Sequence, residues 1–402
     1  MKASLNLLLG ACLVTAVSAQ PSGIQEVFGF PCSSSGPGAV CPEGSAPDAL
    51  IHASDGNIYG VSRGPNVYAG TGGTIFRLTT AGQLTVLYTF PLNTTTGFYD
   101  NGRAPVSIAE GSDGMLYGAA SVGGTTSASS GTLWRIHKDG TGFQVLIRYS
   151  TNSTTGSFPN RIIAASDGNL YGTTGYGGSF SATVCQGLGC GVVFRLTTGG
   201  VYTALHAFNG TTDSRYPVGI IQASDGNFYG GAGDIGYGTL FRISPSGVFS
   251  TIYSFLSNTY PLAAVMQASN GLLYGFSHVV SAPTVEFFSA TLSGSVQNLQ
   301  WITLPLYKQY GVSQLLQASD GNLWTSTAEG GPSNWGTVFA ISPGGTVVHT
   351  LGFTGTNGAF ATGGLIQTPD GTLWGTATEK GTTSTGATAY GVIYKVTGLP
   401  AK

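Results

Sequence analysis

Charge is the scarcest property of this sequence. Asp, Glu, Lys and Arg make up only 8% of its 402 residues, as 15 basic and 17 acidic side chains. No basic run or stripe occurs, which argues against nucleic acid and anionic membranes as partners. Long apolar runs are scarce too. Leu7 to Val17 is broken only by Thr15 and is too short to span a bilayer. The five histidines do not cluster: His52 and His206 fall on strand-like segments, His137 and His349 near their ends, and His278 in a loop. No pair has the spacing of metal ligands. What is abundant is glycine, at 64 residues, alongside 41% hydrophobic content. Low charge with that much apolar surface excludes a disordered chain. The glycine points to an all-β protein with many tight turns.

The N-terminus has the form of a secretory signal, with Lys2, an apolar core, and small residues in Val17-Ser18-Ala19 before Gln20. We expect a signal peptide over residues 1–19 and a mature chain over 20–402, secreted to the extracellular space or cell surface. The rival is a lipoprotein box at Leu9-Gly10-Ala11-Cys12, which would tether the chain at Cys12. Its cysteine is normally followed by polar residues, whereas Leu13 to Val17 is mostly apolar. Cleavage removes Cys12 and leaves Cys32, Cys41, Cys185 and Cys190. An even count in a secreted chain implies disulfides. Of three possible pairings, the spacing favours Cys32 with Cys41 and Cys185 with Cys190, each within one loop. Those spacings, with no histidine nearby, fit zinc poorly.

The strongest signal is an internal repeat. Its turn residues are Asp55, Asp113, Asp167, Asp225, Asn270, Asp320 and Asp370. The fourth copy shows the pattern. Gly219 to Ala223 is an apolar strand, Ser224-Asp225-Gly226-Asn227 a turn, and Phe228-Tyr229-Gly230 opens a second strand. Gly238 to Ile243 and Ser250 to Phe255 supply a third and fourth. Four short strands per repeat, here named A to D, are the content of a propeller blade. Seven copies predict an all-β, seven-bladed β-propeller. The last copy stops after strand C at Gly391 to Val396, and Val27-Phe28-Gly29-Phe30 is an orphan D strand. The N-terminal strand is therefore expected to complete the last blade and close the ring, which removes open sheet edges. The turn Asp reads as an Asp-Gly hairpin residue. A repeated calcium ligand is the rival, but each turn offers one carboxylate, and a calcium site needs several oxygens.

The composite motif is an apolar pair, Ser-Asp-Gly-Asn, an aromatic with Gly, then Gly-Thr-Leu-Phe-Arg-Leu. It resembles the GloVer tandem repeat of bacterial exported choice-of-anchor proteins, over residues 25–398. Blade five departs most, with Asn270 for Asp and Phe287-Phe288-Ser289-Ala290 in strand C. The resemblance implies fold and export, not an activity. The strand order is also similar to that of NHL-type propellers.

Apparent catalytic motifs fail on context. Gly231 to Gly236 matches the dinucleotide glycine pattern and Gly60 to Gly64 the nucleophile elbow, but neither precedes a helix. The strand C cations Arg77, Arg135, Arg195, Arg242 and Lys395 recur by repeat and read as structural. Asp100, Asp234, Glu329 and Glu379 are the loop acids from which a glycosidase pair could come. Asn93, Asn152 and Asn209 head glycosylation sequons.

In a four-stranded blade the B–C and D–A links emerge on one face, and the A–B and C–D links on the other. The first face carries the varied loops, both expected disulfides and most loop aromatics, and loops on a rigid scaffold carry binding residues. Phe158, Tyr216 and Tyr260 precede Pro at blade starts, and Tyr237, Trp335 and Tyr390 precede the Gly of strand C, so these follow the repeat. Tyr68 and Tyr176 follow no repeat rule. The expected ligand surface is Tyr68, Tyr176 and Trp335, with no catalytic residue, metal or cofactor. The expected protein is a monomeric, non-enzymatic extracellular binder of a glycan or protein. The alternative is a hydrolase or lyase acting on an extracellular polysaccharide.

Overall fold

A computed structural model describes residues 23–33, 41–64, 71–126, 129–151, 153–178, 184–234, 238–280, 284–303, 312–383 and 386–398. Among them there is no helix long and apolar enough to cross a membrane. The elements are strands, gathered into seven small antiparallel sheets. Each sheet is one blade with strands in the order A-B-C-D, and the seven form a β-propeller. In blade 1 they are Pro47–His52, Ile58–Ser62, Thr71–Leu78 and Leu84–Pro91. In blade 5 strand A is in two pieces, Thr259–Pro261 and Met266–Gln267.

Strand alternation builds the core. Five residues before each turn Asp or Asn stand Leu50, Ile108, Ile162, Ile220, Val265, Leu315 and Leu365, all at 6% exposure or less. Each packs against the preceding blade. One residue later the side chain faces the following blade and is half-buried, except at the buried Ala109. Seven apolar clusters result, one per blade interface. Each blade is thus half of two cores, which is how a long chain extends its core without thickening it.

The ring closes as expected. Gly23–Gly29 is strand D of blade 7 and pairs antiparallel with Val392–Thr397, with Glu26 opposite Tyr394 and Gly29 opposite Val392. Phe30 N–H donates to the Gly391 carbonyl at 3.0 Å. A register shift interrupts the C–D pairing of every blade, and Val27 occupies it in blade 7. The bulged residue of one blade packs on the C–D turn glycine of the next. A Cβ on Gly82 would come within 3.0 Å of Val27 Cγ1, and one on Gly200 within 3.5 Å of Leu146 Cδ2. The N-terminal strand therefore makes the same inter-blade contact as any other D strand.

The turn aspartates are tied within their own hairpins. Asp225 Oδ1 accepts the Asn227 N–H at 3.1 Å and Oδ2 accepts the Tyr229 hydroxyl at 2.8 Å. Blades 1, 2 and 3 repeat this at Asp55, Asp113 and Asp167. Burial works to raise the carboxyls of Asp167 and Asp225, but these hydrogen bonds and the charges of Arg195 and Arg242 bring both below the ordinary value. In blade 5 Asn270 keeps the tie by donating from Nδ2 to the Tyr274 hydroxyl at 2.8 Å.

A second device links neighbouring turns. Gln222, Gln267, Gln317 and Gln367 sit three residues before the turn residue. Each accepts the Ser N–H of the preceding blade's turn at 2.7 to 3.0 Å through Oε1. Glu110 does the same for Ser54, and Lys138 pairs with it. At the seam the acceptor position is His52 and the donor position is Pro369, which has no N–H to satisfy.

Candidate functional site

The strand A edges line a central channel. A cavity of about 630 Å³ occupies it on the side of blades 1 to 4, a volume suited to a small ligand. At the A–B end its wall holds His52, Glu110 and Ala164. At the B–C and D–A end it holds Asp48, Arg63, Ser121, Asn160 and Arg161.

The chemistry at this second end follows from the strands that carry it. Asp48 stands near the start of its A strand, Asn160 midway along its own at the register shift between Pro159 and Arg161, and Arg63 opens the B–C loop of blade 1. Asp48 is buried, and its Oδ2 accepts from Arg63 Nε at 2.8 Å and Nη2 at 2.7 Å. Asn160 Nδ2 donates to the Pro217 carbonyl of blade 4 at 3.0 Å. Arg161 is half-buried, and its guanidinium makes no hydrogen bond or ion pair with any described residue. Burial draws the Arg161 pKa below its ordinary value while the charge of Asp48 works to raise it. The Arg161 stem lies against Gly219, where a Cβ would meet Arg161 Cδ at 3.5 Å and Ala264 Cβ at 3.2 Å. Gly219 has φ +137°, so a side chain there would be strained as well as crowding Arg161.

An aromatic cluster stands at the blade 3–4 boundary. Tyr176 lies edge-on to Phe158, with centroids 5.4 Å apart, and to Tyr216, at 5.0 Å. A Cβ on Gly175 would come within 3.6 Å of Asn160 Oδ1, and alternation along the strand turns the next side chain, Tyr176, to the other face. Phe158 and Tyr216 hold left-handed backbone, φ 54° and 55°, at the D–A corners. Tyr216 N–H donates to the Cys190 carbonyl at 2.8 Å. Arg215 stacks on Tyr216 at 5.3 Å and pairs with Asp234 at 2.7 Å.

Of the three residues expected from sequence to meet a ligand, Tyr176 is in this cluster at the blade 3–4 boundary. Trp335 is at the blade 6–7 boundary, edge-on to Phe360 at 6.0 Å, with Lys380 Nζ over its ring at 3.2 Å. Neither lines the channel cavity. Tyr68 lies outside the described residues. Both expected disulfides are present: Cys32–Cys41 with Cα atoms 4.2 Å apart, and Cys185–Cys190 at 5.3 Å. The first closes the link from the N-terminal strand into blade 1 and the second the B–C loop of blade 3. Among the described residues no group of three or more His, Cys, Asp or Glu side chains is placed to share a metal ion. Of the loop acids, Asp100 accepts from Asn93 Nδ2 at 2.7 Å and Asp234 is held by Arg215. Among the strand C cations, Arg135 donates to the Thr198 carbonyl of the next blade at 2.8 Å.

The sequence reading looked to loops and missed Arg161. The signal was available. Six residues before the turn Asp or Asn stand Ala49, Ser107, Arg161, Gly219, Ala264, Gln314 and Gly364. One cation in a set otherwise small or neutral is a departure that the repeat does not require.

The fold and this channel define a seven-bladed propeller with a polar channel mouth. The Gloeobacter/Verrucomicrobia repeat matches residues 46–282, more than half of the chain, and the chain belongs to that family. No curated protein matches the sequence. Among solved structures, the chain is similar to an oligogalacturonate lyase in complex with manganese, at 14% identity and a TM-score of 0.53, covering 95% of this chain and 98% of that one. It is similar to a prolyl endopeptidase at 14% identity and 0.53, covering 90% of this chain but 51% of that one. An aldose sugar dehydrogenase from Streptomyces coelicolor aligns at 16% identity and 0.48, over 94% and 99%. At these identities the likeness is one of fold.

Proposed function

We propose that this propeller is an exported, monomeric binding protein that takes a glycan at the channel mouth on the B–C and D–A face. The signal-like N-terminus and the two disulfides support an oxidising, extracellular setting for the mature chain, residues 20–402. The observation that carries the reading is the channel cavity, whose mouth holds Arg161 without a hydrogen-bond partner among the described residues. Polar side chains converging on a preformed cavity are the usual make-up of a ligand site. Tyr176, at the blade 3–4 boundary, and Trp335, at the blade 6–7 boundary, would meet a longer ligand that extends out of the channel over this face. The tight inter-blade links make the scaffold rigid, which limits the ordering cost of binding.

The test is an unbiased glycan array and pull-down with the mature protein, followed by incubation of any ligand found. Binding with the ligand recovered intact is the expected result. Cleavage of the ligand would replace this reading with a polysaccharide hydrolase or lyase, and the absence of any ligand would reject both.

A further inference from the structure

Charge at the channel mouth does not balance. Asp48 is the carboxylate there and Arg63 already neutralises it at 2.7 Å. Glu110, at the other end of the cavity, is paired with Lys138. Among the described residues Arg161 has no ion-pair partner of its own: Asp48 attracts it but is already paired with Arg63, which leaves one net positive charge half-buried on the wall of a cavity of about 630 Å³. Partial desolvation of a cation without a partner is costly, and a fold would not need it here. The six equivalent repeat positions hold nothing charged. The fold also makes room for it, since Gly219 leaves space for the Arg161 stem.

A guanidinium is a rigid planar fork that matches a carboxylate, which it can hold with two parallel hydrogen bonds. Beside it, Asn160 uses Nδ2 on Pro217, and its Oδ1 accepts from no described residue. That oxygen suits a hydroxyl donor. Resting on the channel reading above, we propose that Arg161 anchors the carboxylate of an acidic sugar, a uronic acid unit, with Asn160 accepting from one of its ring hydroxyls.

The experiment is titration calorimetry of the mature protein with D-glucuronate and with D-glucose, repeated on Arg161→Gln, Arg161→Lys and Val218→Trp. Val218 lines the cavity at the repeat position of Asp48 and Asn160, seven residues before the turn Asp, so an indole there narrows the channel. Wild type should bind glucuronate at least about tenfold more tightly than glucose. Arg161→Gln should erase that preference without lowering the melting temperature, because Gln keeps the part of the stem that lies against Gly219 and no hydrogen bond to a described residue is lost, and Arg161→Lys should keep part of it. Equal affinities in wild type, a preference that survives Arg161→Gln, or no glucuronate binding up to on the order of 10 mM would overturn the proposal. If both sugars bind alike and Val218→Trp abolishes both, the channel reading survives and only the role of Arg161 falls. If a folded Val218→Trp leaves binding intact, the channel reading falls with it.

Discussion

The Thr376 hydroxyl donates to the Asp48 backbone carbonyl at 2.6 Å, which joins the last blade to the first across the seam. The same Asp48 holds Arg63 at the channel mouth through its carboxylate. Closure of the ring and the shape of the site thus meet in one residue. Thr376→Val is close to isosteric but leaves that carbonyl without its donor, at a cost of about 1–2 kcal/mol. Equilibrium unfolding in urea should show this as a lower midpoint with an unchanged slope. An unchanged midpoint would mean the seam does not depend on this bond.

Deleting residues 20–31 removes strand D of blade 7 and the Val27 contact with Gly82. It also exposes the edge of Val392–Thr397 and opens the apolar cluster that contains Phe30. The shortened protein should melt many degrees below the mature chain and associate through the open edge. If it melts like the full mature chain and stays monomeric, the N-terminal strand does not close the ring.

Glu26 of that closing strand supplies a pH signature. Burial raises its pKa above the ordinary 4.5, against the opposing hydrogen bonds from Thr382. The folded state therefore holds this proton more tightly than the unfolded chain does. Stability falls as pH rises from about 4.5 through the folded value, and the penalty is complete above it. Glu26→Gln keeps an acceptor for the Thr382 N–H and removes the charge. It should be more stable than wild type at neutral pH and lose that advantage below about pH 4.5. A variant less stable than wild type at pH 7 would show that the carboxylate is not penalised there.

The two disulfides close short loops, with sequence separations of 9 and 5. Each should contribute about 2–3 kcal/mol by restricting the unfolded chain. Non-reducing peptide mapping should recover Cys32 linked to Cys41 and Cys185 linked to Cys190. Free thiols, or a link between the two loops, would contradict the assignment. Because Cys190 also receives the Tyr216 N–H, losing the second bridge should loosen the aromatic cluster around Tyr176 more than losing the first.

What could be read from sequence was what is periodic or local. Ser224-Asp225-Gly226-Asn227 announces its hairpin by residue chemistry alone. Seven copies with one missing D strand then dictate closure by Val27 to Phe30. The disulfides followed because each pair shares a loop. Arg161 escaped because its meaning depends on position: only when strand A is known to border the channel does a cation six residues before Asp167 stand out. The glutamines three residues before the turn recur in four of the seven copies. Their role needed the neighbouring blade, since Gln222 reaches Ser166 across an interface. Tyr176 was chosen for following no repeat rule, yet its ring packs between Phe158 and Tyr216, both of which do.

The claim at the centre of this account is that the channel is where a ligand sits. The most direct measurement is the affinity of Val218→Trp for whichever ligand the glycan array identifies, set beside wild type at matched melting temperature. Val218 lines the cavity, and the indole should narrow it and weaken binding by at least about tenfold, 1.4 kcal/mol. Affinity equal to wild type in a folded Val218→Trp protein would contradict the claim and move the site out to the loops.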